Sequence, residues 1–127
     1  MGLFDFAKNS VNKTKQEVTD AYHEIMDLNY SSLASEKEKN EVCFERGLDK
    51  FEEASKKGQT SKMTGYMKAL QDLYRANGIH DDVYFLHNQW DRLHHYKCYN
   101  ALKIFNQMLE RDGYVERDSA GRYVWRG

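Results

Sequence analysis

Apolar residues recur every three or four positions through most of this chain, which is the spacing of an amphipathic helix. In the first such stretch, Val11, Val18, Tyr22 and Ile25 follow this period. The pattern therefore predicts a helix over about residues 9–29, followed by a break around residues 30–32.

A second helix is predicted by its boundary residues as well as by its period. Ser35 and Glu38 form the S-x-x-E capping box, in which side chains satisfy free backbone N–H groups of the first turn. Gly58 suits the left-handed conformation that ends many helices. The apolar face of this helix comprises Val42, Phe44, Leu48 and Phe51.

Two further helices follow, each with a polar start. Thr60 or Ser61 is predicted to cap the third helix, which Gly78 ends, and Asp81 or Asp82 to cap the fourth. The inward residues are predicted to be Met63, Tyr66, Met67, Leu70, Leu73 and Tyr74 in the third helix, and Val83, Leu86, Trp90 and Leu93 in the fourth.

The helical pattern resumes beyond Tyr96, and the sequence leaves open whether the fourth helix breaks there or runs on. The next apolar face contains Ala101, Leu102, Phe105, Met108 and Leu109. Asp112 and Gly113 then end the helical pattern.

The last residues change to a strand-like pattern. Two β-rich runs at 114–117 and 122–125 flank a loop of turn-forming residues, which predicts a hairpin over about 114–126. A lone hairpin is marginal in water, so it is expected to pack on the helices through Val115, Tyr123 or Trp125. The sequence thus predicts one mainly α domain over residues 1–127: a small bundle of four to five helices with a C-terminal β-hairpin.

This order of a helix directly followed by a hairpin resembles the end of a winged-helix domain. The resemblance implies a recognition helix over 97–111, a wing over 114–126 and a DNA-binding regulator. The residues that would reach nucleic acid are Lys97, Asn100, Lys103, Gln107, Arg117, Arg122 and Arg126. Glu110, Asp112 and Glu116 lie among them and would repel phosphate, so DNA binding is the alternative interpretation.

Charge and composition narrow the classes of function that the chain can have. The chain has 19 basic and 20 acidic residues, a net charge of -1, so no overall field attracts nucleic acid. No apolar run reaches the ~20 residues of a membrane span, and no signal peptide is apparent. Cys43 and Cys98 form no redox or metal motif. A cytoplasmic protein with reduced thiols is the expectation.

Candidate metal and catalytic groups are sparse. If the fourth helix ran on, His87, Asp91, His94 or His95, and Cys98 would lie along one face, but successive ligands on one helix seldom converge on one ion. A metal site would need a further ligand from elsewhere in the chain, such as His23 or Asp27. Cys98 beside His94 and His95 is the only nucleophile–base pair suggested, and phosphate-binding or hydrolase motifs are missing. We therefore expect no metal, no cofactor and no enzyme activity.

Aromatic residues are the strongest functional signal. The chain contains nine Tyr, six Phe and two Trp, and tyrosine and tryptophan are enriched at protein interfaces. The predicted partner-binding residues are Tyr84, Phe85, Trp90, Tyr96 and Tyr99. A large aromatic core with tyrosine hydroxyls at its rim is the structural alternative.

The sequence therefore predicts a non-enzymatic cytoplasmic protein-interaction module. It would bind and modulate a macromolecular partner, as adaptors, inhibitors and immunity-type proteins do. An exposed aromatic face would equally serve a homo-oligomer. The N-terminal apolar cluster of Leu3, Phe4 and Phe6 is predicted to hold the first helix onto the body, or else to dock on a membrane or partner.

Overall fold

The computed structural model describes residues 3–28 and 35–127, and of residues 3–12 it describes the backbone. The described residues form five α-helices and one antiparallel hairpin, which confirms the predicted mainly α fold. The helices are α1 (Leu3–Met26), α2 (Glu36–Lys56), α3 (Thr60–Arg75), α4 (Val83–His95) and α5 (Tyr99–Arg111), and the strands are β1 (Val115–Arg117) and β2 (Tyr123–Trp125).

The start of α1 differs from the prediction. The helix begins at Leu3, so the apolar cluster expected to precede it belongs to its first turns. The side chains of that cluster, and the break predicted at residues 30–32, lie outside the described residues.

Helix α2 begins and ends as its boundary residues predict. The Ser35 hydroxyl accepts a hydrogen bond from the Glu38 N–H at 3.2 Å, and Gly58 follows the helix with φ of +67°. Phe44, Leu48 and Phe51 are buried, whereas Val42 is only partly buried.

Helix α3 is central because it packs against both α1 and α2. A Cβ placed on Gly65 would lie 2.3 Å from the Val18 carbonyl oxygen and 2.6 Å from the Ala21 Cβ. The absence of a side chain at Gly65 therefore lets the backbones of α1 and α3 approach closely.

Buried or half-buried tyrosines join the helices through carboxylates. The hydroxyl–carboxylate pairs are Tyr22 with Asp72, Tyr66 with Glu24, and Tyr74 with Asp112, at 2.5, 2.6 and 2.5 Å respectively. Burial and the neighbouring carboxylate raise the pKa of Tyr66 and of Tyr74. These phenols consequently remain protonated hydrogen-bond donors that tie α3 to α1 and α5.

The core lies among all five helices and is centred on Phe44 of α2. Its ring packs 5.6 Å from Phe105, 6.1 Å from Phe85 and 6.4 Å from Tyr74, measured between centroids. Four elements thus meet at one aromatic residue that is fully buried.

Helix α4 starts after Asp82, whose carboxylate accepts a hydrogen bond from the Phe85 N–H at 3.2 Å. Val83 is 43% exposed, so its predicted inward position is wrong. It is the first residue after the cap, where the chain has only just entered the helix.

The structure also answers the question that the sequence left open at Tyr96. Helix α4 stops at His95, and Lys97 adopts a left-handed backbone with φ of +57°. Helix α5 begins at Tyr99, and Glu52 of α2 caps it from across the core. The buried Glu52 carboxylate accepts the Ala101 N–H at 3.0 Å and the Asn100 amide at 2.8 Å.

The hairpin pairs Val115 with Trp125 and Arg117 with Tyr123. Val115 is buried and both aromatic residues are partly buried, so the predicted packing is confirmed. The Trp125 ring stacks on Tyr114 at 5.8 Å. This contact holds the second strand against the start of the hairpin.

Candidate functional site

The five predicted partner-binding residues separate into two groups. Tyr84, Tyr96 and Tyr99 are 79%, 67% and 59% exposed, whereas Phe85 and Trp90 are partly buried. Three of the five predicted residues are therefore available to a partner in the structure, and two are largely enclosed by it.

Phe85 and Trp90 serve the interior. Phe85 packs edge-on against Phe44, and the Trp90 indole N–H donates to the buried Asn106 amide oxygen at 2.8 Å. Trp90 also packs 4.2 Å from the His94 ring and 5.8 Å from the Trp125 ring. These contacts link α4 to α5 and to the hairpin.

Hydroxyl contacts separate the exposed tyrosines from the others. Beyond the three carboxylate pairs already given, the Tyr114 hydroxyl donates to the His80 carbonyl at 2.6 Å, and the Tyr123 hydroxyl accepts from Arg117 at 2.8 Å. The hydroxyls of Tyr84, Tyr96 and Tyr99 bond to none of the residues that the structure describes.

Two of the three lie together where α4 gives way to α5. We define the α4–α5 corner as His95, Tyr96, Lys97 and Tyr99; the His95 ring packs edge-on against Tyr96 at 4.8 Å. Tyr84 precedes Tyr96 by twelve residues, which is about 18 Å along a helix axis. The corner therefore includes Tyr96 and Tyr99 but excludes Tyr84.

The backbone of the corner is fixed from both sides. The Cys98 N–H donates to the Leu93 carbonyl at 2.9 Å, and the Lys97 N–H to the His94 carbonyl at 3.2 Å. Glu52 fixes the first turn of α5. Residues 94–99 include no acidic side chain, and Lys97 lies between the two exposed tyrosines in sequence.

The residues named in the alternative, DNA-binding interpretation are placed less favourably for contacting a ligand. Asn100 is bonded to Glu52, and Lys97 belongs to the corner. The wing arginines are paired with nearby carboxylates: Arg117 with Glu110 at 3.9 Å, Arg122 with Asp118 at 3.3 Å and Arg126 with Glu116 at 2.6 Å. Lys103 and Gln107 are exposed on α5. Because the three wing arginines are neutralised locally, they are less available to bind phosphate.

The break after His95 separates Cys98 from the candidate metal ligands that lie on α4. His87 pairs with Asp91 at 3.7 Å, and His23 pairs separately with Asp27 at 2.9 Å on α1. Among the side chains that the structure describes, no three His, Cys, Asp or Glu residues are grouped to hold an ion. Burial, and then the Glu52 carboxylate, raise the pKa of the Cys98 thiol, which disfavours the reactive thiolate.

A pair of acidic groups lies at the start of α4. Glu41 and Asp82 share the neighbouring ammonium of Lys37, at 3.9 and 3.5 Å. Burial, followed by a hydrogen bond to Asp82, raises the pKa of Glu41 to about 7. For Asp82, burial acts to raise the pKa. Hydrogen bonds from Glu41 and from the Phe85 N–H outweigh burial and hold the pKa of Asp82 below its usual value.

This pair predicts a pH-dependent stability. In the folded protein the pKa of Glu41 lies above its ordinary 4.5. The stabilisation from this protonated carboxyl is therefore complete below pH 4.5 and is lost as the pH rises to about 7. We expect the free energy of unfolding to fall by on the order of 2 kcal/mol over that interval from this group alone. Urea unfolding at pH 5 and pH 7.5 measures it.

Glu41→Gln should remove most of that pH dependence, since the amide can donate to Asp82 at both pH values. Glu36→Gln changes a carboxylate that is 84% exposed and should keep the wild-type dependence. Equal pH dependence in wild type and Glu41→Gln would show that Glu41 does not hold the proton.

Comparison of the chain with protein families, with curated proteins and with solved structures found no match. Across residues 3–28 and 35–127, no helix is both long and apolar enough to cross a membrane. The function is therefore argued from the residues of the corner.

Proposed function

We propose that the protein is a non-enzymatic protein-interaction module that binds its partner through the α4–α5 corner. The observation that carries the proposal is the exposure of Tyr96 and Tyr99, at 67% and 59%, in a chain whose other described tyrosines, Tyr84 excepted, have structural roles. Tyrosine is enriched at protein interfaces and among the residues that contribute most to binding there.

The rigid backbone supports this role. A tyrosine has few rotatable bonds, and the Glu52 cap with the left-handed Lys97 backbone leaves little chain entropy to be lost on binding. A tyrosine ring binds cations on its face, and its hydroxyl donates and accepts hydrogen bonds, so the corner can contact a mixed polar and apolar surface. A protein surface is the partner that fits these properties.

The remainder of the proposal concerns place and role. We place the protein in the cytoplasm, where Cys43 and Cys98, both free, would stay reduced. There it would act by occupying or modulating its partner, as an adaptor or inhibitor does.

The test is affinity capture from a lysate of the cells that make the protein, with nuclease present. Tyr96→Ser combined with Tyr99→Ser should reduce the recovered partner at least about tenfold, because central aromatic contacts commonly contribute 2 kcal/mol or more. Tyr84→Ser is the matched control and should recover the wild-type amount. Recovery unaffected by the double change would contradict the proposal, as would a partner that disappears with nuclease.

The same variants distinguish a second copy of the chain from a different partner. If the corner mediates self-association, sedimentation velocity should show a dimer of the wild type and a monomer of the double variant. A dimer that survives the double change would assign self-association to another surface.

A further inference from the structure

A second surface, independent of the corner, runs along α3. Gly65 faces α1, so at 100° per residue Thr60, Met67 and Gln71 lie about 120° to 160° away, on the far side of the helix. Two adjoining cavities of about 470 and 330 Å³ open on that side. Met67 and Gln71 line both cavities, which therefore form one groove, the α3 groove, bordered by α2 and α5.

The floor of the α3 groove is apolar and adaptable. It is formed by Phe51 of α2, by Met63 and Met67 of α3, and by Ile104 and Met108 of α5. Three of the five methionines in the chain are thus gathered here. Unbranched thioether side chains repack around a ligand, and such residues are common where apolar helices are bound.

The rim of the groove is positively charged. Lys68, Arg75 and Arg111 line it, and none of the lining residues is acidic. Arg75 is paired with Asp112 at 3.4 Å, whereas Lys68 and Arg111 have no ion-pair partner among the described residues. In a chain of net charge -1 this cationic rim is a local feature, and it complements an acidic ligand.

The length of the groove indicates the shape of its occupant. Helix α3 has 16 residues, or about 24 Å, so an occupant lying alongside it would contact it over about four helical turns. A helix of that length presents apolar residues at i, i+3, i+4 and i+7 to a groove between helices. We propose that the α3 groove binds an amphipathic helix of a partner protein whose polar flanks are acidic.

Binding of two designed helical peptides to the full chain tests this proposal. Both have about 15 residues with leucine at the anchor positions; one carries glutamate on its flanks and the other lysine. Fluorescence anisotropy should show the acidic peptide binding at least about tenfold more tightly, with an advantage that falls as salt is added. Lys68→Glu combined with Arg111→Glu should reverse the preference, and both changes are on the surface.

Methyl NMR of the methionines locates the binding. The acidic peptide should shift the Met63, Met67 and Met108 methyl signals, and Tyr96→Ser with Tyr99→Ser should leave its affinity unchanged, which keeps this test separate from that of the proposed function. Equal affinity for both peptides, or a shift confined to the Met26 methyl signal of α1, would overturn the proposal. The proposal would also be overturned if decanoate, below its micelle concentration, shifted these methyl signals and the peptide did not. That result would indicate a lipid-like ligand.

Discussion

Replacing Gly65 by alanine should lower the free energy of unfolding by about 3 kcal/mol, the cost of forcing a methyl group into a tightly packed contact. The new Cβ would lie 2.3 Å from the Val18 carbonyl oxygen and 3.0 Å from the Tyr22 backbone nitrogen. Backbone atoms cannot move aside as a side chain can. Helices α1 and α3 must therefore separate, which strains the Tyr22–Asp72 and Tyr66–Glu24 bonds. Urea unfolding followed by circular dichroism measures the loss.

Gly47 provides a matched control inside α2. An alanine Cβ there would meet Leu70 Cδ2 at 2.8 Å and Ile25 Cγ2 at 3.5 Å, and these side-chain atoms can shift. The gain of about 1 kcal/mol in helix propensity offsets part of the crowding, so Gly47→Ala should stay within about 1 kcal/mol of wild type. Equal stability of Gly65→Ala and Gly47→Ala would contradict the close packing of α1 on α3.

Glu52→Ala should cost about 2 to 3 kcal/mol in the free energy of unfolding, the range for losing a buried, charge-assisted hydrogen bond. The change leaves the Ala101 N–H and the Asn100 amide without their acceptor. It also removes a negative charge from the N-terminus of α5, where the helix dipole favours one. Hydrogen exchange should show faster exchange in the first turn of α5.

Two neighbouring changes give the controls. Glu52→Gln retains an acceptor oxygen but not the charge, so its loss should be about half as large. Glu53→Ala removes an exposed carboxylate that pairs with Lys57 at 2.9 Å and should leave the unfolding midpoint close to wild type. If Glu52→Ala behaved like Glu53→Ala, the cap on α5 would not be stabilising.

The features that the sequence predicted well are set by local interactions. The Ser35 cap, Gly58, the Asp82 cap and the hairpin turn at 118–121 each depend on residues within a few positions of one another. In the turn, for example, the Asp118 carboxylate accepts the Ala120 and Arg122 N–H groups at 2.9 Å. Such bonds form wherever the short segment occurs, so its pattern is informative.

The features that the sequence left open or did not reveal depend on residues distant in sequence. The break after His95 requires Lys97 in a left-handed conformation, which is uncommon for lysine, and a cap from Glu52, nearly fifty residues earlier. Gly65 interrupts a helical pattern, and an isolated glycine there was the one available signal of close packing.

The candidate sites illustrate the same limit. Tyr84 and Phe85 are adjacent and equally aromatic, yet one is 79% exposed and the other packs on Phe44. The period also assigned Met63 and Met67 to an inward face. The helical period could not show that this face of α3 is left uncovered by the described elements. The position of α5 relative to α3 is a property of the whole fold.

Photo-crosslinking tests the central proposal, that the α4–α5 corner binds a protein partner, most directly. Benzoylphenylalanine would replace Tyr96, Tyr99 or Tyr84 one at a time in cells that make the protein, followed by irradiation and mass spectrometry. We expect positions 96 and 99 to capture the same protein and position 84 not to capture it. Adducts from position 84 alone, or different neighbours at 96 and 99, would contradict the assignment of this corner as the binding surface.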